Sequence, residues 1–156
     1  MNMKISQLRL LNKKEYLIVS SSQFSLDNDF LDYIALKLEE GTQIIQLNEK
    51  HFNDAKTIEL GKKIRELCSI YQALLIVNSR IDIAQIIEAD GIHLEENGIT
   101  PHQARELLGN NIIIGLTTQN TTQIPNDVDY IISEERTQKL DIPQFISSEI
   151  KKKLKL

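Results

Sequence analysis

The sequence has little cysteine and no long apolar run, and each shortage excludes a class of protein. Cys68 is the only cysteine among the 156 residues, which excludes an internal disulfide and a zinc site built from cysteines. No apolar run approaches the length of a membrane-spanning helix, and residues 1–14 lack the apolar stretch of a signal peptide. We therefore expect a cytoplasmic protein that does not enter a membrane.

The sequence also lacks an excess of positive charge. Its formal net charge is -4, which gives no support for binding to nucleic acid or to an anionic membrane. The one basic run, at residues 151–155, is typical of a solvated helix end. There is no glycine-rich phosphate loop, so a nucleotide-binding protein of that kind is not indicated.

Three short apolar runs, at residues 43–50, 74–80 and 91–96, each end in a burst of polar residues. Amphipathic helical patterns separate them, and this alternation is typical of a parallel sheet covered by helices. In such sheets the functional site lies at the carboxyl ends of the strands, where the polar bursts occur.

The same reading gives the order of the elements. Strands are predicted at 15–21 (with an apolar core at 16–19), 43–48, 74–78, 91–95, 112–116 and 129–133. Asp54 is predicted to cap one helix, and Thr100 with Gln103 to form a capping box for another. Residues 119–128 are too few for a helical crossover, and a last helix is predicted at 144–154.

Four blocks, in the same order and spacing, resemble thiamine phosphate synthase and its TenI-like relatives. Residues 41–50 resemble that family's Gly-x-x-x-x-Gln-x-Arg-x-Lys block, and residues 75–84 its Ile-Asn-Asp-Arg-x-Asp-x-Ala block. Residues 89–94 match Ala-Asp-Gly-Val-His-Leu, and residues 113–117 occupy the place of Ile-Gly-Val-Ser.

The resemblance implies a barrel of TIM type, and here an incomplete one. We expect five or six mostly parallel strands with helices outside, in a single domain over residues 1–156 that lacks the last two strand–helix units. An open barrel leaves unpaired strand edges, which proteins cover or pair. We therefore expect a homodimer, a partner protein, or packing of the C-terminal helix over the gap.

The resemblance also implies a reaction and a set of site residues. The family joins a pyrimidine pyrophosphate to a thiazole phosphate with magnesium, so the implied ligand is a phosphorylated thiamine precursor. The residues that the resemblance implies for substrate binding are Gln46, Lys50, Asn78, Arg80 and Thr117.

Several family positions carry different residues in this chain. Asn48 replaces the phosphate-binding Arg, and a neutral amide cannot replace a bidentate guanidinium. Ser79 and Gly98 stand where two magnesium-binding Asp residues are expected, which leaves Glu96 as a substitute ligand. Gln119 replaces a His that many relatives have.

Two function classes remain open. One is a transferase of the thiamine phosphate synthase or TenI-like kind with reduced or altered activity. The other is a non-catalytic relative that binds a phosphate ester or a partner protein. His93 lies within an apolar strand and is interpreted as a hydrogen-bonded core residue rather than a general base.

Overall fold

Strands and helices alternate along the chain in the computed structural model, which describes residues 3–50, 53–137 and 140–152. In these ranges the strands are β1 (Tyr16–Val19), β2 (Ile44–Leu47), β3 (Leu74–Asn78), β4 (Gly91–Glu95), β5 (Ile113–Thr117), β6 (Tyr130–Ser133), β7 (Gln144–Ile146) and β8 (Lys151–Lys152). The α-helices are α1 (Ile5–Arg9), α2 (Asp27–Glu39), α3 (Asp54–Tyr71), α4 (Ile81–Ile86) and α5 (Pro101–Leu108). Short 3₁₀ turns follow β1 (Ser21–Gln23) and β7 (Ser147–Glu149).

The strands form one parallel sheet in the order β7-β6-β5-β4-β3-β2-β1-β8. Strands that are consecutive from β1 to β7 are neighbours, and every pair is parallel. This order, with helices on the outside, confirms the α/β fold of TIM type. The strand count is eight in the described residues instead of five or six, because β7 and β8 are too short to give a periodic apolar signal.

The helix predicted at 144–154 is wrong over the described residues. Residues 144–146 form a strand that pairs with β6, with Phe145 beside Ile132, and residues 151–152 pair with β1. The strand conformation satisfies backbone groups that β6 and β1 would otherwise leave unpaired at the two sheet ends. Residues 153–156 of that prediction lie outside the described residues, and the absence of the last two strand–helix units stays a prediction.

Successive side chains of each strand point to opposite faces of the sheet, and both faces are covered. The outer face packs against the helices through residues such as Leu17, Ile45 and Ile114. The inner face forms a second cluster that contains Tyr16 and Tyr130. Burial on both faces explains why the strands are nearly continuous apolar runs.

Helix α1 lies against the amino-terminal ends of the strands and is tied there by a buried aspartate. Ser6 Oγ donates to Asp129 Oδ1 at 2.9 Å, and Arg105 Nη2 donates to Asp129 Oδ2 at 3.0 Å. The backbone N–H of Ile114 donates to the same carboxylate at 2.9 Å. Asp129 thereby joins α1, α5 and β5 immediately before β6 begins.

The helix starts agree with the sequence in one case and differ in the other. Thr100 and Gln103 form the predicted capping box of α5, with Pro101 at the first position. Helix α3 is capped by Asn53, whose side chain accepts from the N–H of Lys56 at 2.8 Å, and not by Asp54. The two residues are neighbours of similar capping preference, so the sequence alone did not distinguish them.

No helix in the described ranges is both long and apolar enough to cross a membrane.

Candidate functional site

A chain of hydrogen bonds between five side chains crosses the inside of the barrel. Gln46 Nε2 donates to the Tyr16 hydroxyl at 2.7 Å, and the hydroxyls of Tyr16 and Tyr130 are 2.8 Å apart. The Tyr130 hydroxyl lies 2.9 Å from His93 Nδ1, and His93 Nε2 lies 2.6 Å from Thr117 Oγ1. The hydrogen-bond network therefore runs from β2 through β1, β6 and β4 to the carboxyl end of β5.

The side chains of this hydrogen-bond network are almost entirely removed from solvent. Gln46 is 2% exposed and His93 is 1% exposed. Burial lowers the pKa of His93 to about 3, so the imidazole is neutral at physiological pH. Burial also raises the pKa of Tyr16 and of Tyr130, so both hydroxyls keep their protons. The interpretation of His93 as a hydrogen-bonded core residue is confirmed.

The neutral His93 predicts an acid-dependent loss of stability. The unfolded chain binds a proton at this imidazole below about pH 6.5, whereas the folded protein does so only near pH 3. Stability is therefore retained above pH 6.5 and lost as the pH falls, by up to about 1.4 kcal/mol per pH unit from this group. His93→Gln should reduce the slope of unfolding free energy against pH between about pH 6 and pH 4.

Urea unfolding at several pH values measures that slope. His102→Gln is the matched control, because His102 is exposed and its replacement leaves the buried His93 in place, so the slope that His93 causes should remain. Equal slopes for wild type and His93→Gln would contradict the prediction.

Tyr130 reaches the middle of the barrel only because residue 115 is glycine. A Cβ atom built on Gly115 would overlap the ring and hydroxyl of Tyr130. The two residues are paired across β5 and β6, and the missing side chain leaves the space that the ring fills. Gly115 thus sets the position of the hydroxyl that contacts His93.

Two asparagines lie side by side at the carboxyl ends of β2 and β3. Leu47 is paired with Val77, so Asn48 and Asn78 are the next neighbours in the register. Each has a buried Oδ1 that accepts no hydrogen bond from the described residues. A buried acceptor without a donor is costly, and a ligand that donates a hydrogen bond would satisfy it.

The two cations that the sequence singles out have different surroundings. Lys50 is exposed just beyond β2. Arg80 is bound by two carboxylates, with Nη2 at 2.8 Å from Asp82 and Nη1 at 3.1 Å from Asp54. These hydrogen bonds raise the pKa of Arg80 above its ordinary value. The charge of Arg80 is therefore already compensated, while Lys50 remains exposed to an approaching anion.

The acidic groups of this region do not fit a magnesium site. Glu96 accepts from the backbone N–H of Gln119 at 3.3 Å, and the neighbouring Glu95 is exposed at the end of β4. Ser79 supplies only a hydroxyl and Gly98 no side chain. Among the described residues no three His, Cys, Asp or Glu side chains converge, whereas a magnesium ion needs several oxygen ligands in near-octahedral geometry.

Among the described residues, cavities lie at both ends of the sheet. One of about 590 Å³ lies beside the amino-terminal ends of β1 and β7 and includes Lys14 and Phe145 in its lining. Another of about 340 Å³ lies beyond the carboxyl ends of β5 and β6, between Gln119 and Glu134. The second cavity lies at the same end of the sheet as Thr117 and Asn78.

The structure brings Gln46 and Thr117 into one network and leaves Lys50 and Arg80 outside it. The roles of all four residues in binding a substrate stay predictions. The sequence missed the two tyrosines that connect the network, because each lies in an apolar strand and was counted with the core. Alternation along β1 and β6 limits each hydroxyl to one of two faces, but only the register shows that both face inward.

The parallel sheet order, the outer helices and the polar groups at the carboxyl ends define an α/β protein of TIM type. Residues 15–133 match the family model described as thiamine monophosphate synthase. The chain belongs to this family.

Relatives and a solved structure agree with that assignment. The chain is 37% identical over 121 residues to a thiamine-phosphate synthase of Dictyoglomus thermophilum, covering 78% of the chain and 54% of that protein. It is also 37% identical over 126 residues to a thiamine-phosphate synthase of Nostoc punctiforme, covering 78% of the chain and 34% of that protein. A structure of thiamine phosphate pyrophosphorylase from Pyrococcus furiosus superposes with a TM-score of 0.70 at 26% identity, over 82% of the chain and 62% of that protein. The chain thus spans a third to two-thirds of the length of these relatives.

Proposed function

We propose that the chain is a thiamine phosphate synthase-like protein of thiamine biosynthesis that binds a phosphorylated precursor but has reduced or altered transferase activity. The observation that carries the proposal is the contrast between two parts of the site. Four hydrogen bonds connect the inner network from Gln46 to Thr117, whereas Asn48, Ser79 and Gly98 stand where the resemblance implies the family's Arg and two Asp residues. Membership of the family is also the ground on which we propose that the protein acts in the cytoplasm.

The reduced activity follows from the charges that the transfer needs. A departing pyrophosphate must be stabilised by cations or by a metal ion held by carboxylates. Asn48 is neutral, and the charge of Arg80 is already compensated by Asp54 and Asp82. Ser79 and Gly98 supply no carboxylate at the Asp positions, so these residues do not fit magnesium.

Binding of a phosphate ester should depend on Lys50 more than on Arg80. Removing a charge-assisted hydrogen bond costs about 1.5–3 kcal/mol, so Lys50→Ala should weaken binding by about tenfold or more. Arg80→Ala should have a smaller effect, because its guanidinium is engaged with Asp82 and Asp54. Isothermal titration calorimetry with the thiazole phosphate measures both.

Lys63→Ala, which removes an exposed charge from α3, is the matched control and should leave the affinity unchanged. Added magnesium should change the affinity little. Equal losses for Lys50→Ala and Lys63→Ala, or binding that requires magnesium, would contradict this assignment of the site.

The alternative is a non-catalytic relative that binds a phosphate ester or a protein, and the sheet ends favour keeping it. Strands β7 and β8 are the end strands of the sheet and are very short. We propose that a second copy of the chain covers them, since exposed strand edges are normally paired or covered. Light scattering of the purified chain should give the mass of a homodimer, and a monomer would count against it.

A further inference from the structure

We infer that the hydrogen bonds from Gln46 to Thr117 all point in one direction, which fixes His93 as the Nε2–H tautomer and makes Thr117 a donor toward the open end of the barrel. The four contacts measure 2.7, 2.8, 2.9 and 2.6 Å, so each is within hydrogen-bond distance.

The direction of the hydrogen bonds is set by the donor at Gln46. Its Nε2 carries only donors, so the Tyr16 oxygen must accept from it. The other polar neighbour of the Tyr16 hydroxyl is the hydroxyl of Tyr130. Because a buried donor without an acceptor is costly, the Tyr16 proton goes to the Tyr130 oxygen.

The same argument determines the donors of the remaining two hydrogen bonds. Tyr130 already accepts from Tyr16, so its own proton goes to His93 Nδ1. A neutral imidazole whose Nδ1 accepts must carry its proton on Nε2. That proton is donated to Thr117 Oγ1, which leaves the Thr117 proton for a group outside the network.

This direction limits the chemistry of a ligand at the site. The proton of the Thr117 hydroxyl needs an acceptor, so a ligand that satisfies it offers a ring nitrogen, a carbonyl oxygen or a phosphoryl oxygen. The unpartnered Oδ1 atoms of Asn48 and Asn78 require donors instead. We therefore assign a ligand that offers an acceptor toward β5 and donors toward β2 and β3. This statement about the ligand rests on the proposed function, whereas the direction of the hydrogen bonds does not.

A substitution at Gln46 should reverse the direction of the hydrogen bonds as far as His93. An ionised carboxylate in place of the Gln46 amide only accepts, so in Gln46→Glu the Tyr16 proton should be donated to it. Tyr130 would then donate to Tyr16, and His93 would donate from Nδ1 to Tyr130. The His93 tautomer should switch to Nδ1–H, three hydrogen bonds from the substitution. Gln46→Leu removes the donor without adding an acceptor and should leave the Nε2–H tautomer in place.

The test is ¹⁵N NMR of the imidazole in the full chain without ligand, in a background with His51→Gln and His102→Gln so that one histidine remains. The protonated and unprotonated nitrogens have widely separated shifts, and their couplings to the ring protons distinguish Nδ1 from Nε2. Wild type and Gln46→Leu should show Nε2–H, and Gln46→Glu should show Nδ1–H at a pH where the labelled carboxyl carbon reports ionisation.

Two results would overturn the inference. One is an Nδ1–H tautomer in the wild type, and the other is an unchanged Nε2–H tautomer in folded Gln46→Glu with its carboxylate ionised. If Gln46→Glu does not fold, the wild-type tautomer still decides the direction. A failure of calorimetric binding with the expected tautomer would count against the proposed ligand alone.

Discussion

Gly115→Ala should lower the free energy of unfolding by about 3 kcal/mol. The new methyl group would overlap the ring of Tyr130, which is fully buried and cannot move aside within the barrel. Added volume in a well-packed core forces side chains and backbone out of their preferred positions at a cost of this size. Urea unfolding of the variant and the wild type measures the difference.

Gly98→Ala is the matched control for this substitution. A Cβ atom there would lie 3.6 Å from the carbonyl oxygen of Glu95, an ordinary van der Waals distance, so the stability should change little. The overlap at Gly115 should also displace the Tyr130 hydroxyl from His93 and disturb the imidazole NMR signals. A Gly115→Ala variant as stable as Gly98→Ala would show that the barrel interior is not packed as described.

Asp129→Ala should cost about 3–5 kcal/mol of stability. Asp129 is fully buried and Arg105 is only 9% exposed at its side chain. Removing one partner of a buried ion pair leaves the other charge without compensation, and losses of this size are usual. The substitution also removes the acceptor of Ser6 Oγ and of the Ile114 N–H, so α1 and β5 lose their shared contact.

Asp127→Ala is the control because it removes a carboxylate that lies near the same arginine. Asp127 is 28% exposed at its side chain and is 4.0 Å from Arg105, which makes the pair weak. Its replacement should cost less than about 1 kcal/mol. Chemical denaturation of both variants compares the two losses, and equal losses would contradict the role assigned to Asp129.

The strands from β1 to β6 could be predicted from the sequence because each buries both faces. Their apolar runs are bounded by polar residues, and the helices between them have their own period. Strands β7 and β8 could not be found this way, since three and two residues carry no period. Their conformation depends on pairing with β6 and β1, which is a tertiary contact.

The site was only partly predictable for a related physical reason. Gln46 and Thr117 are polar residues at strand ends, so the sequence marks them. Tyr16 and Tyr130 look like core residues, and their hydroxyls become part of the site only through the register of three strand pairs. The pairing of Arg80 with Asp54 depends on how α3 packs beside β3, which no local pattern reveals.

Reduced activity is proposed because the barrel interior is intact while the groups that the family resemblance implies for transfer are replaced. Three substitutions, Asn48→Arg, Ser79→Asp and Gly98→Asp, would return those groups. The backbone should tolerate both aspartates, because Ser79 has a left-handed φ of 64°, which Asp adopts more readily than most residues, and Gly98 has room for a side chain.

The proposed reduction in activity is tested by magnesium-dependent formation of thiamine phosphate from the two purified substrates. The wild type should be at least about a hundredfold slower than the Dictyoglomus thermophilum relative, since loss of one charge-stabilising group alone costs that much. The triple variant should be at least about tenfold faster than the wild type. A wild-type rate equal to that of the relative would contradict the proposed reduction in activity.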